Sequence, residues 1–218
     1  MEIKDLSKEC SLLNHFVAEM RDVTVQNDRL RFRRNIERIG EVIAYEISKT
    51  LNYAPKDITT PLGTKTCQLA SDEVVVASIL RAGLAFHHGF LNYFDHAGNA
   101  FISAYRKYTE DHMHFDVHVE YIASPSIDGK VLILADPMLA TGNSMELAYR
   151  AILSKGTPKH IHVASVIACR EGLEYIKKNF PADKTTIWFS TFDEELNDQK
   201  YIVPGLGDAG DLAYGDKI

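Results

Sequence analysis

An acid closing an apolar run, followed by small and hydroxyl residues, is the strongest chemical signal in this sequence of 218 residues. It reads Val131-Leu132-Ile133-Leu134-Ala135-Asp136-Pro137-Met138-Leu139-Ala140-Thr141-Gly142-Asn143-Ser144. A buried strand of this kind delivers its acid to the carboxyl edge of a sheet, where ligands of open α/β folds bind. The loop after it opens a helix. Successive backbone N–H groups and the positive end of the helix dipole can then wrap a phosphate. Thr141 and Ser144 add hydroxyl donors for phosphate oxygens, and Asp136 is placed to bind sugar hydroxyls. The GK[ST] ending of a Walker loop is absent.

Two further stretches carry chemistry. Arg81, in Ser78-Ile79-Leu80-Arg81-Ala82-Gly83-Leu84, follows a second apolar run and offers a planar fork to diphosphate oxygens. Gly83 there allows close backbone approach. Near the C-terminus, Tyr201-Ile202-Val203-Pro204-Gly205-Leu206-Gly207-Asp208-Ala209-Gly210-Asp211 has little side-chain bulk and exposes backbone donors and acceptors. Such an edge can read a flat ligand that carries both carbonyl and N–H groups.

Together these stretches resemble the uracil phosphoribosyltransferases. Asp136 to Ser144, DPMLATGNS, is similar to the family's motif DPMLATGGS for 5-phospho-α-D-ribose 1-diphosphate (PRPP), with Asp-Pro where most phosphoribosyltransferases place two acids. The segment SILRAGL is similar to PILRAGLG, Ala104-Tyr105-Arg106 to the MYR segment, and the tail to YIIPGLGDAGD.

The resemblance implies a type I phosphoribosyltransferase fold and the reaction of uracil with PRPP to give UMP and diphosphate. It assigns catalytic roles to Arg81, Arg106 and Asp208. PRPP contacts fall to those three and to Asp136, Pro137, Met138, Leu139, Ala140, Thr141, Gly142, Asn143 and Ser144. Uracil contacts fall to Ile202, Gly207, Asp208 and Ala209. Mg2+ is implied as cofactor, carried mainly by PRPP and water with no direct protein ligand. A non-proline cis peptide in the Arg81 loop, a homodimer or larger homo-oligomer, and GTP as a candidate effector are implied as well. The match is weaker at Asn143 and Ser78, which replace a glycine and a proline, and at Cys169-Arg170-Glu171-Gly172, where the family usually has APEG. Asparagine tolerates left-handed backbone, so the loop should survive that change. Residues 107–128 depart most.

The elements needed to hold these residues are legible. Phe32, Ile36, Ile39, Ile43 and Ile47 mark an amphipathic helix with Asp28 as N-cap. Apolar runs at 74–80, 101–105, 131–135, 161–169 and 186–191 alternate with helical patterns at about 83–94, 144–154 and 171–179. Strand and helix in alternation predict an α/β domain, a mostly parallel sheet covered on both faces. Residues 1–27 read as an irregular or briefly helical lead-in. Residues 59–67 suggest a short hairpin or extended edge. Strand-like alternation at 110–122 predicts an arm or hood within about 107–128, standing off the sheet. One catalytic domain spanning residues 1–218 is expected, with its base-reading segment at about 201–211.

Composition bounds the alternatives. The chain is 45% apolar and 25% charged, with net charge −6, an ordinary globular balance that advertises no nucleic-acid face. Apolar runs stay well below the roughly 18 residues of a membrane span, so a cytoplasmic protein without membrane contact is expected. Cys10, Cys67 and Cys169 are widely spaced and read as reduced thiols. His112, His114, Asp116 and His118 read as a solvated strand face rather than a metal site, and His87-His88 as helix surface or a subunit contact. The Arg31 to Arg34 cluster reads as salt bridges on an exposed helix face or at an interface. A phosphoribosyltransferase for another base, and a pyrimidine-responsive RNA-binding regulator on the same fold, are the competing readings.

Overall fold

The computed structural model describes residues 1–108 and 115–216, with side chains placed outside residues 104–120. Apolar alternation within each central strand sends neighbouring residues to opposite faces, so such strands must be covered on both sides. That is the arrangement found. The strands are β1 (Glu2–Asp5), β2 (Tyr53–Thr60), β3 (Gly63–Ala70), β4 (Val74–Ile79), β5 (Gly98–Tyr108), β6 (Phe115–Ala123), β7 (Val131–Ala135), β8 (Met138–Leu139), β9 (His160–Cys169), β10 (Thr185–Asp193), β11 (Glu195–Leu196) and β12 (Ile202–Val203). The helices are α1 (Leu13–Arg21), α2 (Arg29–Ser48), α3 (Gly83–Leu91), α4 (Asn143–Ile152), α5 (Arg170–Asn179) and α6 (Ala209–Tyr214).

The main sheet runs β1-β10-β9-β7-β4-β5-β6, with β8 also paired to β9. Its pairs are parallel except β5 with β6. Val74, Val76, Ile133 and Ala135 face one core with the buried α2 residues Phe32, Ile36, Ile39, Ile43 and Ile47. Val75, Ala77, Leu132 and Leu134 face the other, with Met145, Ala148 and Ile152 of α4 and Leu173 and Ile176 of α5. The Asp28 carboxylate caps α2 by accepting from the Arg31 backbone N–H at 3.0 Å, as its sequence position predicts. The helix pair α2 and α3 crosses at Gly40 and Gly89. A Cβ on Gly89 would stand 2.2 Å from the Glu37 carbonyl oxygen, so the crossing requires glycine.

Four expectations need correction. Residues 1–27, read as irregular or briefly helical, do carry a short helix at Leu13–Arg21, but Glu2–Asp5 is an unexpected edge strand that pairs in parallel with Thr186–Phe189. The sequence Glu2-Ile3-Lys4-Asp5 is too short and polar to show a strand period. The expected short hairpin at 59–67 is longer, spanning Tyr53 to Ala70 as a separate two-stranded sheet. Phe115–Ala123 forms the strand expected there but pairs with β5 as the last strand of the main sheet. His87 is buried, not surface; only its neighbour His88 is exposed. His112 and His114 lie outside the described residues, and the side chains of Asp116 and His118 lie outside them too.

Candidate active site

Two parallel strands, β4 and β7, end together and set the floor of the site. Ser78 of β4 pairs with Ala135 of β7, so Arg81 and Asp136 emerge side by side at the carboxyl edge. The peptide Leu80–Arg81 is cis, as the resemblance implies. A cavity of about 280 Å3 opens over this edge. Its wall takes Leu80 and Arg81 from the first loop, Asp136, Met138, Ala140 and Ser144 from the second, and Tyr201, Ile202 and Gly207 to Gly210 from the C-terminal segment. Three stretches far apart in sequence therefore share one hollow.

Within the second loop the residues divide. The Asp136 carboxylate accepts from the Met138 backbone N–H at 3.2 Å. Burial pushes its pKa up to about 7, with the charge of Asp208 adding and the Met138 N–H opposing. Pro137 is buried, and its carbonyl accepts from the N–H groups of Val166 and Ile167, each at 3.0 Å. Leu139 turns its side chain into the core and pairs with Ala168 of β9, and it is not part of the cavity wall. Thr141 Oγ1 accepts from the Asn143 N–H at 3.4 Å.

Gly142 carries the left-handed turn at φ 80° that starts α4, and Asn143 is already the first helical residue. The asparagine thus replaces glycine where left-handed backbone is not needed, which is a simpler reason for tolerance than the one predicted. From behind, the end of β9 and α5 brace the loop: Cys169 Sγ donates to the Ala140 carbonyl at 3.0 Å, and Tyr175 Oη donates to buried Glu146 of α4 at 2.6 Å. Burial raises the Cys169 thiol above its usual range, which suits a packed donor rather than a nucleophile.

Arg81 lines the cavity, but both of its Nη atoms are engaged by the C-terminal helix. Nη2 meets Asp211 Oδ1 at 2.8 Å and Nη1 donates to the Gly215 carbonyl at 3.0 Å. Asp208 caps α6, its Oδ1 accepting from the Asp211 N–H at 2.9 Å. Ile202, Gly207, Asp208 and Ala209, singled out by sequence, are all brought to the cavity. The backbone of Arg106 continues β5 in register with Val117, while its side chain lies outside the described residues.

A family model described as Uracil phosphoribosyltransferase matches residues 7–216. The chain belongs to the uracil phosphoribosyltransferase family. It is similar to the uracil phosphoribosyltransferase of Porphyromonas gingivalis, 64% identical over the full length of both chains. It is also similar to that of Methanothermobacter thermautotrophicus, 40% identical over 86% of this chain and 85% of the relative. A solved protein structure from Aquifex aeolicus superposes with a TM-score of 0.83 at 33% identity, covering 99% of each chain. A hypoxanthine phosphoribosyltransferase from Staphylococcus aureus, at TM-score 0.50 and 11% identity over 80% of this chain and 85% of its own, shares the fold alone.

Sequence reasoning in this family frame missed several residues at the site. Tyr201 and Lys200 line the cavity. Tyr201 opens the tail motif and could have been assigned from it, whereas Lys200 precedes the motif and gives no signal. Arg21 and Gln26, from the segment read as a lead-in, hydrogen-bond the Gly205 and Leu206 carbonyls of the tail at 3.0 and 3.3 Å. Among the described residues, no group of three or more His, Cys, Asp or Glu side chains could hold a metal ion by itself.

Proposed function

We propose that the protein transfers the phosphoribosyl group of PRPP to N1 of uracil, giving UMP and diphosphate. The observation that carries this reading is the shared cavity, in which Arg81, Asp136 and the 207–210 backbone face one volume. In this assignment the 140–144 backbone and the α4 N-terminus take the 5′-phosphate, helped by the Thr141 and Ser144 hydroxyls. The Asp136 carboxylate accepts hydrogen bonds from the ribose hydroxyls. Arg81 and Arg106 receive the departing diphosphate charge. Backbone groups around Ile202, Gly207 and Ala209 read the carbonyl and N–H pattern of uracil, while Asp208 orients the base and its N1 proton.

As the bond from ribose C1 to diphosphate oxygen breaks, positive charge builds on the ring, and N1 attacks from the opposite face. Holding two reactants in line supplies much of the acceleration. As expected from sequence, Mg2+ would be held mainly by PRPP oxygens and water rather than by a protein ligand, with the cavity carboxylates Asp136 and Asp208 standing nearby. Such an ion neutralises the leaving diphosphate. Family membership also supports a place in pyrimidine salvage and a homodimer or larger homo-oligomer in the cytoplasm, with GTP as effector. Light scattering with and without GTP tests the assembly. Among the described residues, no helix is long and apolar enough to cross a membrane.

The deciding experiment offers PRPP and Mg2+ with uracil, cytosine, hypoxanthine or adenine in parallel. UMP from uracil, with little product from the others, is the expected result. Product from a purine would overturn the base assignment. No product from any base would turn attention to the regulator reading and to RNA binding.

A further inference from the structure

Arg81 and Asp208 belong to different parts of the cavity, and one residue touches both. Asp211 accepts from Arg81 Nη2 at 2.8 Å through its carboxylate, while its backbone N–H donates to Asp208 Oδ1 at 2.9 Å. The Gly215 carbonyl takes Arg81 Nη1 at 3.0 Å. That leaves Arg81 Nε, which is buried and has no acceptor among the described residues. A guanidinium presents five N–H donors in a fixed plane, so fixing its outer nitrogens also fixes the direction of Nε–H. A buried donor without an acceptor is costly unless a ligand oxygen completes it.

We propose that Asp211 is the positioning residue for Arg81. With the Gly215 carbonyl it holds the guanidinium from the C-terminal helix and keeps Nε–H for an oxygen of the diphosphate. Asp211 has this role only if PRPP is the ligand, as proposed above. It touches neither reactant. Because Asp208 caps the same residue, the arginine at the leaving group and the acid beside the base are held at a fixed spacing, as an in-line displacement requires. The pair is not a stability device. The Arg81 and Asp211 side chains are 38% and 33% exposed, and pairs this open add little to folding. Its value lies in aiming one side chain.

Wild type, Asp211→Asn and Asp211→Ala are compared by calorimetric titration with PRPP and Mg2+, by UMP formation, and by thermal melting. Asp211→Ala should weaken PRPP binding and lower kcat by about tenfold each, while the KM for uracil stays within about twofold. Asp211→Asn keeps an oxygen acceptor and should fall between. Melting temperatures should stay together. Variants that match a PRPP-binding wild type in affinity and kcat would overturn the assignment. So would equal losses for uracil and PRPP with lowered melting, which is the signature of a merely structural residue. A wild type that binds no PRPP would overturn the underlying function and this role with it, a result readily told apart from the other two.

Discussion

Arg21 and Asp193 meet fork to fork, with Nη1 to Oδ2 at 2.7 Å and Nη2 to Oδ1 at 2.9 Å. The pair also grips both backbone groups of Gly205: Asp193 Oδ2 accepts its N–H at 2.8 Å, and Arg21 Nη1 donates to its carbonyl at 3.0 Å. One helix near the N-terminus and the end of one central strand thereby tether the base-reading segment. Burial alone would raise the Asp193 pKa, but Arg21 and the Gly205 N–H outweigh it and hold the carboxyl below its usual value.

Removing either partner strands a largely buried charge, so Arg21→Ala or Asp193→Ala should cost about 3 kcal/mol in urea unfolding. The KM for uracil should rise more than the KM for PRPP. A depressed acid contributes stability that is present above its unfolded pKa of 3.8 and lost as pH falls through the folded value. Asp193→Asn should therefore flatten the acid limb of a stability profile.

Asp136 carries the opposite sign. With its pKa raised to about 7, the folded chain holds a proton that the unfolded chain has released. Its contribution is full below 3.8 and is lost as pH rises through about 7. For binding the direction reverses, because the carboxylate form accepts ribose hydroxyls. PRPP affinity should climb with pH through a limb near 7. Asp208→Asn removes a charge that raises this pKa, and carbon-13 NMR of the labelled Asp136 carboxyl should then titrate lower. An unmoved titration would show that the two acids do not interact.

The buried His87 ring offers a third test. Asn99 Nδ2 donates to the Ala97 carbonyl at 3.1 Å, so its Oδ1 faces the ring and accepts from His87 Nε2 at 2.6 Å. His87 Nδ1 then accepts the Ser78 hydroxyl at 2.8 Å. Burial, with the His88 charge, outweighs the Asn99 bond and keeps the pKa below the usual 6.5. His87→Phe leaves the buried Ser78 hydroxyl without this partner and should cost about 1–3 kcal/mol. The wild type keeps the full contribution of this group above 6.5 and loses it as pH falls toward the folded value. Urea midpoints at about pH 7.5 and 5.5 should differ less in the variant than in the wild type.

What could be read from sequence follows a physical division. Val131 to Ala135 and Phe32 to Ile47 announce themselves because burial on one or both faces imposes a period on apolar residues. The Asp136 loop and the Gly-rich tail announce themselves because backbone must approach a ligand there. Glu2 to Asp5 becomes a strand through partners at Thr186 to Phe189, and nothing local requires it. Both strands of the 53–70 hairpin are largely exposed, so burial imposes no pattern on them. His87 and His88 were inseparable by type, since α3 is buried around most of its circumference and only geometry tells which ring points inward. The pairing of Arg81 with Asp211 spans 130 positions and leaves no periodic trace.

Lys200 is the only non-glycine residue with positive φ among the described residues, at 66°. It sits in the turn between β11 and β12, donating its N–H to the Asn197 carbonyl at 2.9 Å, and it lines the cavity. A left-handed lysine costs about 1–2 kcal/mol. Its contact with Glu171, at 3.6 Å between two well-exposed side chains, returns little of that. Relief of the turn should therefore outweigh the extra backbone entropy of glycine, making Lys200→Gly neutral or stabilising by up to about 1 kcal/mol. Lys200→Met keeps the backbone strain but removes the charge, so the pair separates the two effects. A cation at the mouth of a site for a polyanion should matter to binding, and both variants should weaken PRPP affinity by about threefold with a shallower salt dependence. If Lys200→Met bound PRPP as the wild type does at low salt, the ammonium would have no part in the site and the strained turn would be left without a binding role.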